Sequence, residues 1–301
     1  MISVITASLV LYKSNSDTIR DVIRSFFSDR ILNKKLLLID NSPTDELRFL
    51  QEERPEDIIY IFNNKNVGFG TAHNIGEREA QRFNPDFHLI LNPDVVFGPE
   101  VIPSMVKYME QHRDIGLMVP QVYYPDGKRQ HLCKLLPRPW DVFLRRFFPV
   151  KPCITRTNER YELRFWSYET IEDIPSLSGC FMLVRTDIYN QVGGFDERFF
   201  MYAEDLDLCR RIGQISRTVF FPSASITHAY ARASYHDARL LKHHMTSLFL
   251  YFTKWGWIFD AERDRINKTC IANLAPSNPK GHQQSSNRTL KNNNYVNKKV
   301  S

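Results

Sequence analysis

Short apolar runs alternate with amphipathic stretches through the first 120 residues of the chain. The apolar runs predict strands, and apolar residues spaced three and four apart predict the helices between them. The predicted strands are Ile2–Tyr12, Leu36–Asp40, Ile58–Phe62 and His88–Asn92, and the predicted helices are Thr18–Phe27, one beginning near Thr44, Phe69–Phe83 and Pro99–His112. This alternation predicts an α/β fold, with right-handed crossovers and a mostly parallel sheet covered by helices on both faces.

The regular pattern decays between residues 121 and 175 and then returns. Prolines interrupt the decayed stretch, which we interpret as a variable excursion rather than a separate domain. The elements predicted after it are a strand over Ser176–Thr186, a helix over Ala203–Ile212, strands near Val219 and Ile226, and a long C-terminal helix over Ala238–Phe252. We therefore expect one main domain over residues 1–260, with halves at 1–120 and 176–260 on either side of the excursion.

The net charge of +6 comes almost entirely from the C-terminal tail. Residues 275–301 contain five basic side chains and no acidic one, whereas the rest of the chain holds 35 basic and 34 acidic residues. Because the body is nearly neutral, we expect no nucleic-acid-binding face on the folded part. The tail is rich in Asn, Lys, Ser and Gln, a composition that predicts disorder.

Deleting residues 275–301 should leave the melting temperature of the protein and its turnover on a soluble acceptor nearly unchanged. A segment with so little apolar surface cannot offset the entropy cost of ordering it. Scanning fluorimetry and an activity assay on the full-length and truncated chains measure both quantities. A large loss of either would show that the tail docks on the body.

Cysteine usage and hydropathy indicate where the chain works. Five widely spaced cysteines without a Cys-x-x-Cys pair favour reduced thiols over a disulfide framework or a structural zinc site. The apolar start Ile2–Val10 lacks the basic residues and cleavage site of a signal peptide. The most membrane-like window, Met245–Phe259, contains Lys254 and is shorter than the roughly 20 residues that a spanning helix needs. We expect a cytoplasmic chain that does not cross a membrane.

No glycine precedes Gly68. A dinucleotide-binding fold, a P-loop or a sugar-nucleotidyltransferase needs a glycine-rich turn directly after an early strand, so that backbone amides can approach phosphate. The first predicted strand instead runs into the sequence LYKSNSDTI. These three classes of protein are therefore disfavoured.

Candidate ligand-binding residues follow the predicted strands, where ligands bind in parallel α/β sheets. Asp40 closes the second strand and could accept a hydrogen bond from a pyrimidine base, or it could form an Asx turn. The segment Asn64–Gly76 offers two glycines and a helix N-terminus to an anion, or it serves as a loop and N-cap. Asn92 and Asp94 share one side of an extended segment, so both can address one cation, although an Asn-Pro turn also explains them.

The second half of the chain adds acidic and cationic candidates. Glu204, Asp205 and Asp207 gather at a predicted helix start, where acidic residues commonly complement the helix dipole. A tight Glu-Asp pair also suits a general base that takes a proton from a hydroxyl. His228 at the end of a late strand could complete a cation site, and Arg232 could hold a phosphate, although a lone histidine is more often structural.

Six segments occur in a fixed order: IDNSP, NVGFGTAHNIG, LNPDV, SGCFMLV, GGFDERFFMYAEDLDLCRR and a late TH. In this order they resemble the inverting GT-A-fold glycosyltransferases of glycosyltransferase family 2, and among them the bacterial rhamnosyltransferases of O-antigen and surface-polysaccharide assembly. The resemblance covers about residues 2–259. It implies that residues 1–120 bind a nucleotide-sugar, and that residues 176–260 bind the acceptor and carry catalysis.

The resemblance also implies roles for individual residues. Asp205, with Glu204 beside it, is expected to be the catalytic base, and Asp94 and His228 are expected to hold Mg²⁺ or Mn²⁺. Asn92 stands where many relatives carry Asp, so Asp94 is the principal charge of that site. The other implied contacts are those to the donor, by Asp40, Asn66, Gly68, Asn74, Asn92 and Arg232, and those to the acceptor, by Gly179, Cys180 and Asp196.

These roles imply transfer of a sugar, with inversion, from a nucleotide-diphosphate-sugar to a glycan acceptor that we expect to be lipid-linked. The preferred donor is dTDP-rhamnose. The alternatives are a UDP-sugar carrying galactose, galactofuranose or N-acetylglucosamine, and a non-catalytic assembly subunit at the membrane. Intact Asp94 and Asp205 argue against the non-catalytic alternative.

Two segments suggest contact with a membrane surface. Aromatic and basic residues mix in the helix near Leu240–Trp257 and in the excursion at Trp140–Val150. The aromatic residues of the helix are Phe249, Tyr251, Phe252, Trp255 and Trp257. Such mixtures are typical of interfacial segments, although both sets could instead pack on the core. We expect reversible, peripheral association with the inner face of the bacterial cytoplasmic membrane.

Overall fold

The computed structural model describes residues 3–142, 159–229 and 238–275 of the chain. Its sheet begins with four parallel strands in the order β3-β2-β1-β4, namely β1 (Val4–Leu11), β2 (Asn33–Asp40), β3 (Ile58–Phe62) and β4 (Phe87–Leu91). Leu9, Leu38 and Leu89 are completely buried and place the main core on one face of these strands. All four strands end at the same edge of the sheet, which we call the carboxyl edge.

The rest of the sheet is mixed. It consists of β5 (Val95–Phe97), β6 (Ile115–Tyr123), β7 (Glu172–Asp173), β8 (Phe181–Arg185) and β9 (Arg217–His228), and the order is β3-β2-β1-β4-β8-β6-β9-β5 with β7 paired to β9. β8 runs antiparallel to β4, and its first residue, Phe181, pairs with Leu91. The residues just before β8 therefore lie at the carboxyl edge. The predicted α/β fold class is confirmed, and parallel pairing holds among β1–β4 and between β6 and β9.

The helices that bear on the site are α1 (Ser16–Phe26), α2 (Phe69–Ala80), α3 (Val101–Gln111), α4 (Thr186–Gln191), α5 (Glu204–Ile212), α6 (Ala238–Trp255) and α7 (Ala261–Leu274). The side chain of Asn15 caps α1 by accepting hydrogen bonds from two amides of its first turn, and the apolar stripe of α1 is buried. Among the residues that the structure describes, no helix is both long and apolar enough to cross a membrane.

The helix predicted near Thr44 is wrong. That segment instead contains a short 3₁₀ helix, Arg48–Glu53, in which Leu50 is the buried residue. Leu47 and Leu50 are the buried side chains of the segment, and two give too small an apolar face to stabilise a longer helix against the sheet. Helical stability in proteins comes mainly from such packing.

Prolines explain two further differences from the predicted pattern. The sequence analysis did not predict β6, because Pro120 interrupts its apolar run; the strand accommodates this proline at a shift in its register with β9. The strands predicted near Val219 and Ile226 are one strand, β9, which carries the same register shift. β5 has three residues and α4 has six, so neither is long enough to show a periodic pattern.

α7 lies beyond the last predicted helix and packs on the domain. Its buried residues are Arg263, Asn267, Cys270 and Leu274, which recur every three or four positions but include two polar side chains. A search for apolar periodicity therefore misses this helix. Asn267 fixes it by donating a hydrogen bond to the backbone oxygen of Leu136 at 2.8 Å and accepting one from its amide at 2.9 Å. The four cysteines of the described residues are free and buried.

Candidate active site

Asp40 is the last residue of β2, and its side chain is fully buried. One carboxylate oxygen accepts a hydrogen bond from the amide of Ser42 at 2.8 Å, and the other accepts one from the hydroxyl of Tyr60. Burial and then contact with Asp40 raise the pKa of Tyr60, so its hydroxyl stays a donor. The bond to Ser42 is an Asx turn, which the sequence also allowed. Contact between Asp40 and a nucleotide base stays a prediction.

Three asparagines hold the loop after β3 against the end of β2. Asn63 donates a hydrogen bond to Asn41 Oδ1 at 2.9 Å, and Asn41 donates one to the backbone oxygen of Gly68 at 3.2 Å. Asn66 accepts a hydrogen bond from the amide of Gly68 at 3.0 Å. Gly68 has a φ of 92°, and a Cβ there would collide with the carbonyl oxygen of Phe200. Asn66 and Gly68 are therefore held at the carboxyl edge.

Asn74 lies on the buried side of α2. Its side-chain oxygen accepts hydrogen bonds from the hydroxyl of Tyr189 at 2.7 Å and from the amide of Phe195 at 2.9 Å. Its nitrogen donates to the carbonyl oxygen of Phe195 at 2.8 Å and to Glu197 at 3.1 Å. These four contacts use the hydrogen-bonding capacity of the amide. The structure therefore shows that Asn74 joins α2 to the segment around Phe195, and contact between Asn74 and a donor stays a prediction.

Asp94, His228 and Asn92 converge beyond the end of β4. Asp94 Oδ1 lies 3.2 Å from His228 Nε2, and the side-chain nitrogen of Asn92 lies 3.5 Å from the same atom. The side-chain oxygen of Asn92 is buried and has no hydrogen-bond partner within the described residues. Pairing between β5 and β9 holds this geometry, because Val95 lies opposite His228 in their register.

Gln130, which the sequence analysis missed, orients His228. His228 Nδ1 lies 3.2 Å from Gln130 Oε1, and Gln130 Nε2 donates a hydrogen bond to the carbonyl oxygen of His228 at 2.8 Å. Because Oε1 can only accept, Nδ1 carries the proton in this pair. In the neutral ring the lone pair is then on Nε2, beside Asp94, which is the tautomer that a metal ligand requires at this position.

The charge of this cluster favours a bound cation. Burial by itself lowers the pKa of His228, but hydrogen bonds to Asp94 and Cys180 outweigh burial and raise the pKa to about 10. A proton on Nε2 would therefore compete with a metal ion. In the part of the chain that the structure describes, no three His, Cys, Asp or Glu side chains form a metal-binding group. The protein atoms that could hold a divalent cation here are the carboxylate of Asp94, Nε2 of His228 and the oxygen of Asn92, and further oxygen ligands would have to come from outside the protein.

Asp205 lies at the start of α5, where two backbone amides hold its carboxylate. Gly179 donates a hydrogen bond to Oδ2 at 3.0 Å, and Leu206 donates one to Oδ1 at 2.8 Å. A Cβ at Gly179 would lie 3.3 Å from Asp205 Cβ, so a side chain there would press on the carboxylate. Tyr202 and Ala203 before the helix have left-handed backbone conformations, with φ of 70° and 61°. Such strained residues cluster at functional sites.

The two acidic neighbours of Asp205 lie in different environments. Glu204 is buried, and one of its oxygens has no hydrogen-bond partner among the described residues. Burial and then the charge of Asp205 raise the pKa of Glu204 to about 8. Asp207 is fully buried, and its carboxylate is occupied by the side chains of Trp255, Lys254 and Arg211. Asp205 is the half-exposed member of the three and the one open to a substrate.

Replacing Glu204 with glutamine should remove a pH-dependent cost to stability. Because the pKa rises from 4.5 to about 8 on folding, the stability that Glu204 contributes is full below 4.5 and is lost as the pH rises to about 8. The melting temperature of the wild-type protein should therefore fall more than that of Glu204→Gln between about pH 5 and about pH 8. Scanning fluorimetry measures both slopes, and equal slopes would contradict the buried neutral acid. Turnover should fall less than in Asp205→Asn.

Asp196 lies in the segment before α5 and pairs with Lys254 of α6. Its carboxylate accepts hydrogen bonds from Arg198 at 2.6 Å and Lys254 at 2.8 Å, and the contact with Arg198 does most to hold the pKa of Asp196 well below its usual range. Lys254 also contacts Asp207 at 2.7 Å. Asp196 is thereby tied to the helix that carries Asp205. Its contact with an acceptor stays a prediction.

The cluster of Asn92, Asp94 and His228 meets Asp205 at the dipeptide Gly179–Cys180, just before β8. Gly179 donates its amide to Asp205, and the carbonyl oxygen of Cys180 accepts a hydrogen bond from the amide of Asn92 at 2.9 Å. Adjacent Cα atoms are about 3.8 Å apart, so the dipeptide joins Asp205 to the end of β4. The residues that the structure brings together are Asn92, Asp94, Gly179, Cys180, Asp205 and His228. Arg232 lies outside the described residues.

The family described as glycosyl transferase family 2 matches residues 8–193. The chain is 32% identical over 239 residues to N-acetylglucosaminyl-diphospho-decaprenol L-rhamnosyltransferase of Mycobacterium tuberculosis, a match that covers 74% of this chain and 76% of that protein. It is 27% identical over 215 residues to rhamnosyltransferase WbbL of Escherichia coli, with 66% of this chain and 75% of that protein covered.

Solved structures share the fold at low sequence identity. Mannosyltransferase PcManGT from Pyrobaculum calidifontis, in complex with GDP-Man and Mn²⁺, matches with a TM-score of 0.58 and 15% identity over 91% of this chain and 71% of its own. GalNAc-T7 with UDP, GalNAc and Mn²⁺ matches with a TM-score of 0.57 and 16% identity over 76% of this chain and 43% of its own. These likenesses show a GT-A fold. Since the family model matches more than half of this chain, the chain belongs to glycosyl transferase family 2.

Proposed function

We propose that this chain transfers L-rhamnose, with inversion, from dTDP-rhamnose to a lipid-linked glycan acceptor in cell-surface polysaccharide or O-antigen synthesis. The observation that carries the proposal is the meeting of Asp205 with the Asn92–Asp94–His228 cluster at Gly179–Cys180. The two relatives described above are named as rhamnosyltransferases, and the name of the mycobacterial protein includes a diphospho-decaprenol acceptor. These names support the choice of sugar and acceptor.

Inversion requires the acceptor hydroxyl to attack the anomeric carbon from the face opposite the leaving diphosphate. As the new carbon–oxygen bond forms, the bond to the diphosphate oxygen breaks and its electron pair leaves with the nucleotide. The hydroxyl proton passes to Asp205. The hydrogen bonds from Gly179 and Leu206 fix the carboxylate, so that it is already oriented when the acceptor arrives.

Asp94 and His228 would hold a divalent cation, with Asn92 adding a neutral oxygen. Such an ion, when bound, stabilises the negative charge that grows on the departing diphosphate. Carboxylate, amide and phosphate oxygens suit Mg²⁺ and Mn²⁺ alike, and the single imidazole tilts the preference toward Mn²⁺. Asp40, Asn66 and Gly68 would contact the nucleotide at the same edge of the sheet.

A UDP-sugar transferase of the same fold, acting on galactose, galactofuranose or N-acetylglucosamine, is the alternative. The structure of GalNAc-T7 contains UDP, and this supports uracil as the base of the donor nucleotide. A non-catalytic assembly subunit is less well supported, because the carboxylates of both Asp94 and Asp205 are present and held in place.

A panel of nucleotide-sugars separates these functions. Binding and slow hydrolysis of dTDP-rhamnose and of the UDP-sugars are measured with Mn²⁺ and with Mg²⁺, followed by transfer to a synthetic lipid-diphosphate acceptor. We expect kcat/KM for dTDP-rhamnose to exceed that for the UDP-sugars by about tenfold or more. Preference for a UDP-sugar would select the alternative, and the absence of hydrolysis and transfer with every donor would contradict an enzyme.

We also propose that the protein works at the inner face of the bacterial cytoplasmic membrane. A lipid-linked acceptor is confined to a bilayer, whereas a nucleotide-sugar donor is soluble in the cytoplasm. An enzyme that joins the two therefore benefits from reversible attachment to the membrane surface.

A further inference from the structure

The aromatic and basic residues of α6 form two sets: some are buried or ion-paired within the protein, and others are exposed. Tyr251 and Phe252, expected at a membrane surface, are 1% and 0% exposed and belong to the core. Lys254 is paired with both Asp196 and Asp207. The membrane prediction is wrong for Tyr251 and Phe252, which pack on the core as the other interpretation of the sequence allowed. The charge of Lys254 is neutralised within the protein. Phe143–Val150 of the second predicted surface lies outside the described residues.

An exposed apolar tip lies instead where α6 turns into α7. Phe249, Ile258 and Phe259 are 60%, 62% and 94% exposed. Trp257 is half-buried and anchors them to the core: its ring centroid lies 5.2 Å from that of Phe249 and 5.3 Å from that of the buried Phe252. We call these four residues the hairpin tip. A contiguous group of large, exposed apolar side chains marks a contact surface, whereas single exposed residues do not.

Buried contacts fix the backbone of the hairpin tip. Asp260, the next residue, accepts two hydrogen bonds from Arg210 at 2.7 and 2.8 Å and one from the amide of Arg263 at 2.9 Å. Gly256 has a φ of 107°, and a Cβ there would lie 2.9 Å from the carbonyl oxygen of Phe259. The apolar side chains cannot retreat inward without breaking these contacts. A surface that is already ordered loses little conformational entropy when it docks.

The charges around the hairpin tip fit an anionic surface. The acidic residues at this end of α7 already pair with arginines, and they are Asp260, Glu262 and Asp264. Arg265 and Lys268 on α7 are exposed and have no ion-pair partner among the described residues. Residues 275–301, whose sequence holds five basic residues and no acidic one, follow the other end of α7, about 21 Å along its axis from the tip. Free cations beside exposed apolar side chains are typical of segments that bind anionic lipid.

We propose that the hairpin tip inserts into the headgroup region of a bilayer that contains anionic lipid, and so holds the enzyme on the membrane that presents its acceptor. The choice of a bilayer rests on the proposed function, because a lipid-linked acceptor brings the enzyme to one. α6 connects the tip to the site: Lys254 contacts Asp207, and His243 stacks on Phe200 with ring centroids 4.4 Å apart. From His243 to the end of α6 is about 18 Å along the helix axis.

Vesicle flotation of the full-length chain tests the proposal. Vesicles of phosphatidylethanolamine and phosphatidylglycerol should bind the wild-type protein, and the double variant Ile258→Ser/Phe259→Ser should lower the partition coefficient by about tenfold or more. Binding should weaken on phosphatidylcholine vesicles and as salt rises. Ile31→Ser is the matched control, since Ile31 is 68% exposed but precedes β2, at the edge of the sheet opposite Asp40. Its binding should equal that of the wild type.

Unchanged flotation of the double variant, or an equal loss in Ile31→Ser, would overturn the proposal. A wild-type protein that binds no vesicles would also overturn the proposal. This holds even if that protein forms a dimer and the double variant abolishes the dimer. Both variants should melt like the wild type, because the replaced side chains are exposed.

Donor hydrolysis distinguishes failure of this proposal from failure of the proposed function. A double variant that hydrolyses dTDP-rhamnose at the wild-type rate but no longer floats supports the hairpin tip. A wild-type protein that floats through the tip but uses no rhamnose donor also supports the tip, and contradicts the proposed sugar instead.

Discussion

Asp205→Asn should lower turnover by about 10²- to 10⁴-fold while donor binding persists. The amide has nearly the same shape as the carboxylate but cannot take the proton of the acceptor hydroxyl. It still accepts one of the two hydrogen bonds from Gly179 and Leu206, so the start of α5 should keep its structure. Steady-state kinetics measures the turnover, and calorimetric titration with the nucleotide-sugar measures donor affinity. Near-wild-type turnover would remove Asp205 from the role of base.

Asp207→Asn is the matched control within the same helical turn. Asp207 is buried and paired with Lys254 and Arg211, so its substitution should lower the melting temperature more than Asp205→Asn does. Its effect on turnover should be the smaller of the two. A larger loss of turnover in Asp207→Asn than in Asp205→Asn, at equal melting temperature, would reverse the assignment of the two carboxylates.

The strands that end at the carboxyl edge could be predicted from the sequence, because each is an apolar run followed by polar residues. β3 occupies the predicted residues Ile58–Phe62, and β2 and β4 end within one residue of the predicted positions. Parallel order then places Asp40 and Asn92 at one edge of the sheet. The roles given to them came from the resemblance to a family and not from periodicity.

Contacts between distant parts of the chain could not be predicted in this way. Gln130 reaches His228 across 98 residues from within the irregular excursion, where no local pattern points to it. Asn74 lies in a glycine-containing segment typical of ligand contact, and nothing in that segment points to the hydrogen bond that Tyr189, 115 residues away, donates to its side chain. Periodicity reports which side of an element is apolar and not which distant side chain will meet it.

The hairpin tip shows a related limit. Phe249 and Phe252 lie three residues apart in one mixed aromatic and basic segment, so the sequence treats them alike. In the structure Phe252 is 0% exposed and Phe249 is 60% exposed. The difference arises because only one side of α6 packs against the rest of the protein. Phe252 lies on that side, in the buried cluster that contains Phe199 and Leu206.

Asp94→Ala should abolish metal-dependent donor binding, whereas Asn92→Ala should weaken it only partly. Asp94 supplies the carboxylate charge of the cluster, 3.2 Å from His228 Nε2, and Asn92 supplies a neutral oxygen. A single imidazole with water is a weak site for Mg²⁺ or Mn²⁺, both of which favour charged oxygen ligands. Titration of nucleotide-diphosphate with and without Mn²⁺ measures the metal-dependent part of binding for each variant. Asp205→Asn, which leaves the cluster intact, is the control that should retain it.

Removing the metal from the wild-type protein tests the same site without a substitution. EDTA should eliminate turnover, and added Mn²⁺ or Mg²⁺ should restore it. Turnover that survives EDTA would make the metal assignment wrong for both Asp94 and Asn92. The pKa of His228, raised to about 10, would then leave an imidazolium beside Asp94 at neutral pH. In that case the positive charge available to a departing diphosphate would be a proton on Nε2, and His228→Ala would be expected to cost more turnover than Asn92→Ala.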